Sequence, residues 1–152
     1  MTTINNKQST IVIGVIGADC HAVGNKIMAN ILGRLGFNVI NLGVMVSQDE
    51  YIDAAIEHNA QAILVSSIYG HGEIDCNGLR QRCEERGLDD IILYVGGNLV
   101  IGKQNFADIR SLFLDMGYDR VFTPNDDLNE VSDLLIMDIE NQSEQRNLNV
   151  VA

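Results

Sequence analysis

Residues 10–36 read TIVIGVIGADCHAVGNKIMANILGRLG, and this stretch decides the fold. Its first seven residues, Thr10–Ile16, are apolar at nearly every position and rich in β-branched side chains, the mark of a strand buried on both faces. A loop from Gly17 to Ala22 leads into an amphipathic helix that runs to about Leu35 and stops at Gly36. A strand covered on both sides and followed at once by a helix is the opening of a βαβ unit. The pattern recurs. Asn38–Leu42 is a second strand, and Ser47 with Glu50 forms a capping box opening a helix to about His58. Ala62–Ser66 is a third strand, then a loop rich in Gly and acid, then a helix from about Asn77 to Arg86. Ile91–Val95 is a fourth strand ending in Gly96 and Gly97, and a helix from about Phe106 to Met116 stops at Gly117. Arg120–Phe122 is a short fifth strand, and Asp127–Ile139 a last helix.

Five such units predict an α/β fold: a flavodoxin-like (Rossmann-like) doubly wound sheet of five parallel strands in the order 2-1-3-4-5. Ligands of such sheets bind outside the carboxyl ends of the strands, at the switch between strands 1 and 3. The loops that matter are then 17–24, 66–78, 96–105 and 123–127. One domain is expected over residues 1–140, with 141–152 a polar, uncapped and flexible tail.

Composition narrows the functions. The chain has 152 residues, 46% of them hydrophobic and 20% charged, which suits one globular domain. Ten basic against 21 acidic residues give a net charge of −11. A surface that acidic repels phosphate backbones, so nucleic acid is a poor partner. No apolar run approaches the length of a membrane span and the first residues are polar, so the cytoplasm is expected. Cys20, Cys76 and Cys83 are an odd number without a C-x-x-C pair, and none has zinc-ligand spacing with His21 or His71. They read as reduced, structural thiols.

The loop after strand 1 holds neither G-x-G-x-x-G nor a Walker loop, so a dinucleotide or nucleoside triphosphate is disfavoured. Asp19 would repel a flavin phosphate. A phospho-receiver domain would need Asp at the end of strand 3 and Lys at the end of strand 5, where this chain has Ser66-Ser67 and Thr123-Pro124. His21 follows Asp19 by two residues. It is either a surface histidine with an acidic neighbour or a metal ligand whose other ring N–H is held by Asp19. With no further ligand nearby, the metal would arrive already coordinated, as in a macrocycle.

Asp19-x-His21-x-x-Gly24, then 41 residues, Ser66-Ser67-Ile68, then 27 residues, Gly96-Gly97, resembles the D-x-H-x-x-G, S-x-L and G-G signature of cobalamin-binding domains. Ile68 replaces the usual Leu, a swap of equal volume. VIGADCHAVGNKI (15–27), VSSIYGHGEIDCNGLR (65–80), YVGGNLVIGKQ (94–104) and MGYDRV (116–121) resemble the small, cobalamin-binding subunits of glutamate mutase (methylaspartate mutase). The likeness spans about residues 9–124.

The resemblance implies a cofactor, adenosylcobalamin, and a set of roles. His21 would be the lower axial ligand to cobalt in place of the cofactor's own benzimidazole, with Asp19 holding the imidazole. Ser66 would hydrogen-bond the freed benzimidazole, and Ser67 and Ile68 would line its slot. Gly24, Gly96 and Gly97 would let the tail pass between loops, with Asn98, Leu99, Val100, Ile101 and Gly102 at its far end. Ala18, Cys20 and Ala22 would touch the ligand through backbone or small side chains. It further implies an isomerase that is inactive alone. Its partner would be a large catalytic subunit, a barrel holding L-glutamate at the subunit interface, in a two-plus-two heterotetramer. The product of the radical rearrangement would be (2S,3S)-3-methylaspartate, with substrate residues on the partner.

The alternatives are the small subunit of a related carbon-skeleton mutase, a corrinoid carrier for methyl transfer, and a metal-free flavodoxin-like module. A carrier is expected to show a helical cap before the domain, for which the chain leaves no room. Other residues read more plainly: His58 as a favourable charge at a helix end, His71 as solvated, and Glu73 with Asp75 as a partner-facing acidic loop rather than an acid/base pair, while Lys103 reads either as a contact to the tail phosphate or as a solvated lysine.

Overall fold

The structure is a computed structural model that describes residues 9–17, 22–67, 72–97, 99 and 105–151, with backbone alone beyond 145. Its elements are β1 (Thr10–Val15), α1 (Val23–Arg34), β2 (Asn38–Asn41), α2 (Gln48–Glu57), β3 (Ala62–Ser66), α3 (Gly72–Cys76), α4 (Leu79–Glu85), β4 (Ile92–Gly96), α5 (Phe106–Asp115), β5 (Arg120–Val121) and α6 (Leu128–Val151). The five strands are parallel and lie in the order β2-β1-β3-β4-β5, as the sequence pattern predicts.

Alternate strand residues feed two separate cores, which is why the strands read as apolar throughout. Ile11, Ile13, Ala62, Leu64, Ile92 and Tyr94 face Met28 and Leu32 of α1 and Val131 and Leu135 of α6. Val12, Ile63, Val65, Leu93 and Val95 face the other way, against Tyr51 and Ile52 of α2, Leu79 and Cys83 of α4, and Ile109 and Phe113 of α5. Cys76 and Cys83 are free and buried in this second core, where burial pushes their thiols up to about 12 and about 11. They are neutral packing groups at ordinary pH.

Two features differ from the sequence pattern. The acidic loop after β3 contains a short helix of its own, α3. It is parted from α4 by Gly78 at φ +90, a left-handed step that neither helix can continue through. At the other end, α6 continues through 141–151 instead of stopping at Ile139. No Gly or Pro follows Pro124, so nothing in the sequence breaks the helix where its apolar face runs out. The capping box at Ser47 forms as expected, with Glu50 N donating to Ser47 Oγ at 3.2 Å and Ser47 N to Glu50 Oε1 at 3.1 Å.

Arg80 fastens the amino edge of the sheet. It donates to Gly117 O (2.9 Å), Ile91 O (2.7 Å) and the Asp119 carboxylate (2.9 Å), and Asp119 in turn accepts from Leu93 N at 2.8 Å. Gly117 is required beneath it: its φ is +103, and a Cβ there would lie 2.6 Å from the Arg80 stem. A second polar cluster ties α6 to the sheet. Asp138 accepts from Tyr94 OH, from Arg120 Nε at 2.8 Å and from Arg120 Nη2 at 3.0 Å. Burial alone would raise the Asp138 carboxyl, but the bonds from Arg120 and Tyr94 outweigh it and hold it below its ordinary value.

A depressed carboxyl stabilises the fold above the unfolded-state value and stops doing so as the pH falls through the folded one. Asp138→Asn should therefore lower stability near pH 7 by about 1.5 kcal/mol, the low end for bonds to a charged group, because both side chains keep some solvent contact. That corresponds to about 3–6 °C in melting temperature. The gap between variant and parent should close below about pH 4. Melting curves at pH 7 and in acid check both signs.

Candidate functional site

Val15, Ser66 and Gly96 stand in one row across β1, β3 and β4. Ile16 N donates to Ser66 O (3.0 Å) and Ser67 N to Gly96 O (3.0 Å), so the carboxyl edge is level where the loops leave it. Beneath this edge, on the α1/α6 side, lies a cavity of about 360 Å³. Small-molecule sites usually span about 300–1,000 Å³. Its floor is Ile13, Leu64 and Tyr94; one wall is Val23, Gly24, Asn25, Ile27 and Met28 of α1; the other is Leu128 and Val131 of α6. Ser66, Gly96, Gly97, Phe122, Thr123 and Pro124 line its carboxyl-edge end.

Of the residues singled out in the sequence, Gly24, Ser66, Gly96 and Gly97 meet around this cavity. Ala22 is the N-cap residue of α1 and offers no side-chain bond to its first turn. Ser67 is buried outside the lining, and Leu99 packs into the core on the opposite face of the sheet. Ala18, Asp19, Cys20, His21, Ile68, Asn98, Val100, Ile101 and Gly102 lie outside the described residues, as do His71 and Lys103. Among the described residues no group of three or more His, Cys, Asp or Glu could hold a metal ion.

The glycines separate into two kinds. Gly97 has φ +109, so its backbone demands glycine whatever binds nearby. Gly24 has no such need: it is in a helix, and a Cβ there would meet nothing within 4 Å. Gly96 would tolerate one too, its nearest neighbour being Phe122 Cβ at 3.5 Å. Two glycines that the protein's own packing does not require both border the cavity, where a side chain would take ligand space. Asn25 adds a polar clue. Its Nδ2 donates to Asn41 Oδ1 at 2.9 Å, while its own Oδ1 is buried without a partner. A buried acceptor left unpaired costs about 1–3 kcal/mol, a debt a bound donor would remove. These features fit a mostly apolar ligand segment with a few polar groups.

The helical walls of the cavity were not evident from the loops. Val23 and Ile27 are large apolar residues 73% and 48% exposed, one helical turn apart on α1. An apolar stripe wider than the core needs was the available signal. Phe122 and Tyr94, whose ring centroids are 5.3 Å apart, reach the cavity from β4 and the end of β5.

Residues 9–127 match the B12 binding domain, and the chain belongs to that family. It is 66% identical over 133 residues to the glutamate mutase sigma subunit of Escherichia coli O157:H7, covering 88% of this chain and 89% of that one. It is 60% identical over 118 residues to that of Clostridium cochlearium, covering 78% and 86%. Within the B12-binding family it belongs to the glutamate mutase sigma subunits. The monomethylamine corrinoid protein of Methanosarcina barkeri shares the fold, with a TM-score of 0.67 at 21% identity over 89% of this chain and 61% of that one.

Proposed function

We propose that this chain is the cobalamin-binding subunit of a glutamate mutase, working with a large catalytic subunit to interconvert L-glutamate and (2S,3S)-3-methylaspartate. The observation that carries the reading is the cavity at the switch point, where parts of all three signature segments, Gly24, Ser66 and Gly96-Gly97, meet. His21 would ligate cobalt and Asp19 would hold its imidazole. Ser66 would bond the displaced benzimidazole, and the α1–α6 cavity would take the nucleotide tail. Bound adenosylcobalamin supplies a cobalt–carbon bond weak enough to break homolytically.

The chain's own part is to bind, orient and shield. The apolar floor of Ile13, Leu64 and Tyr94 excludes water from the tail, and the Tyr94–Asp138–Arg120 cluster keeps α6 against it. Substrate-binding residues lie on the partner, so the chain alone is inactive. The assembly has two copies of each subunit and works in the cytoplasm. No helix among the described residues is long and apolar enough to cross a membrane. Residues 1–140 form the cofactor-binding domain, and 141–152 are a C-terminal extension of it.

The test is electron paramagnetic resonance of the protein carrying ¹⁵N-histidine, loaded with Co(II) cobalamin in the presence of the large subunit. Superhyperfine splitting that changes with the label places imidazole on cobalt. Splitting indifferent to the label means the cofactor has kept its own base, and the reading fails.

A further inference from the structure

Gly17 is the residue at which the chain leaves β1 for the segment 18–21. Its surroundings are unusually tight. A Cβ built on it would lie 2.2 Å from Asp75 Oδ2 and 2.7 Å from Asp75 Cγ, so the carboxyl group fills the space where a side chain would begin. Gly17 also has φ +73, and its N–H is already given to Val46 O at 2.8 Å. The β2–α2 loop holds Gly17 on one side, and Asp75 packs on it from another.

Asp75 can do this only if α3 stays put, and a five-residue helix does not hold itself. Three side-chain bonds from distant elements hold it. Gln48 Nε2 donates to Asp75 O at 2.7 Å and to Asn77 O at 2.8 Å, and Tyr118 OH donates to Cys76 O at 2.8 Å. Cys76 itself is fully buried. The outer side of the same helix is open: Ile74 is 76% exposed.

We infer that Asp75 is a positioning residue. The bulk of its carboxyl group seats Gly17 and so fixes where segment 18–21, with Asp19 and His21, departs from the sheet. The inference rests on the functional reading above, in which His21 ligates cobalt. Because the contact is one of shape, asparagine serves in place of aspartate and alanine does not.

The test uses the complex with the large subunit, ¹⁵N-histidine label and Co(II) cobalamin, reading both affinity and the fraction of cobalt carrying imidazole. Asp75→Ala should weaken cobalamin binding about 10-fold, the lower end for groups that orient a metal ligand, and lower the imidazole-bound fraction. Asp75→Asn should stay within about twofold of the parent in both. Gly17→Ala should fail at least as badly as Asp75→Ala. Combining the two should cost less than the sum of their separate losses, because removing the carboxyl makes room for the methyl.

Melting of the unliganded variants should show that they fold, because α3 is held through carbonyls and Cys76. Parent-like binding and spectrum in Asp75→Ala overturn the inference, as does strict additivity in the double variant or an Asp75→Asn as weak as alanine. The parent protein separates the two levels. If it shows no label-dependent splitting, the functional reading falls and takes the inference with it. If parent and Asp75→Ala show equal splitting, the inference alone falls.

Discussion

His21→Ala should lower mutase turnover of the assembled complex by more than about 100-fold, beyond the about 10–100-fold cost of losing a group that merely orients a metal ligand. Direct ligation explains the larger effect. In the proposed function it is this imidazole that would displace the cofactor's own base from cobalt. Without it the nucleotide tail would stay on cobalt instead of entering the cavity between α1 and α6. Turnover and cobalamin affinity should fall together. Thermal melting of the unliganded chain should not change, since the ligand role makes no demand on the core. Turnover within threefold of the parent would remove His21 from the mechanism.

Filling the cavity is the second large effect. Gly24→Leu places a branched side chain where a Cβ now meets nothing within 4 Å. Forcing extra atoms into a filled site costs about 1–3 kcal/mol, roughly 5- to 150-fold in affinity. Cobalamin binding should weaken by that factor. The unliganded protein should respond in the opposite direction. Gly24 is the second residue of α1, and a non-glycine residue there reduces the freedom of the unfolded chain; for Gly24→Ala the gain is about 0.4–1 kcal/mol. A variant that melts higher yet binds cobalamin worse would mark Gly24 as kept for the ligand. Equal losses in stability and binding would mean ordinary helix packing.

Most of the fold was legible because it depends on short-range signals. β-branched runs, the Ser47–Glu50 box and the glycines at 36 and 117 mark strands, helix starts and helix ends without help from distant contacts. The two main misreadings came where such signals are missing or ambiguous. α6 has no breaker after its apolar face ends, and α3 exists through bonds from Gln48 and Tyr118 that no local pattern announces. The candidate site was legible in the same uneven way. Gly24, Ser66, Gly96 and Gly97 sit at strand ends or loop ends, so topology alone brings them near one edge. The contributions of Ile27, Met28, Leu128 and Val131 depend on how two helices cross the sheet, and that packing is set by the whole core. Leu99 shows the limit from the other side: it follows the glycine pair in sequence, yet the turn at Gly97 sends it into the opposite core.

The Arg80 fastener has a consequence for how such a chain can diverge. Its bonds to Gly117, Ile91 and Asp119 all lie at the amino edge, at the far end of the strands from the loops that border the cavity. Rewriting a loop at the carboxyl edge leaves every one of those bonds in place. The lower half thus serves as a chassis on which the upper loops can be exchanged for others of different chemistry while the chain still folds. Grafting experiments should begin above the row of Val15, Ser66 and Gly96, and leave everything below it untouched.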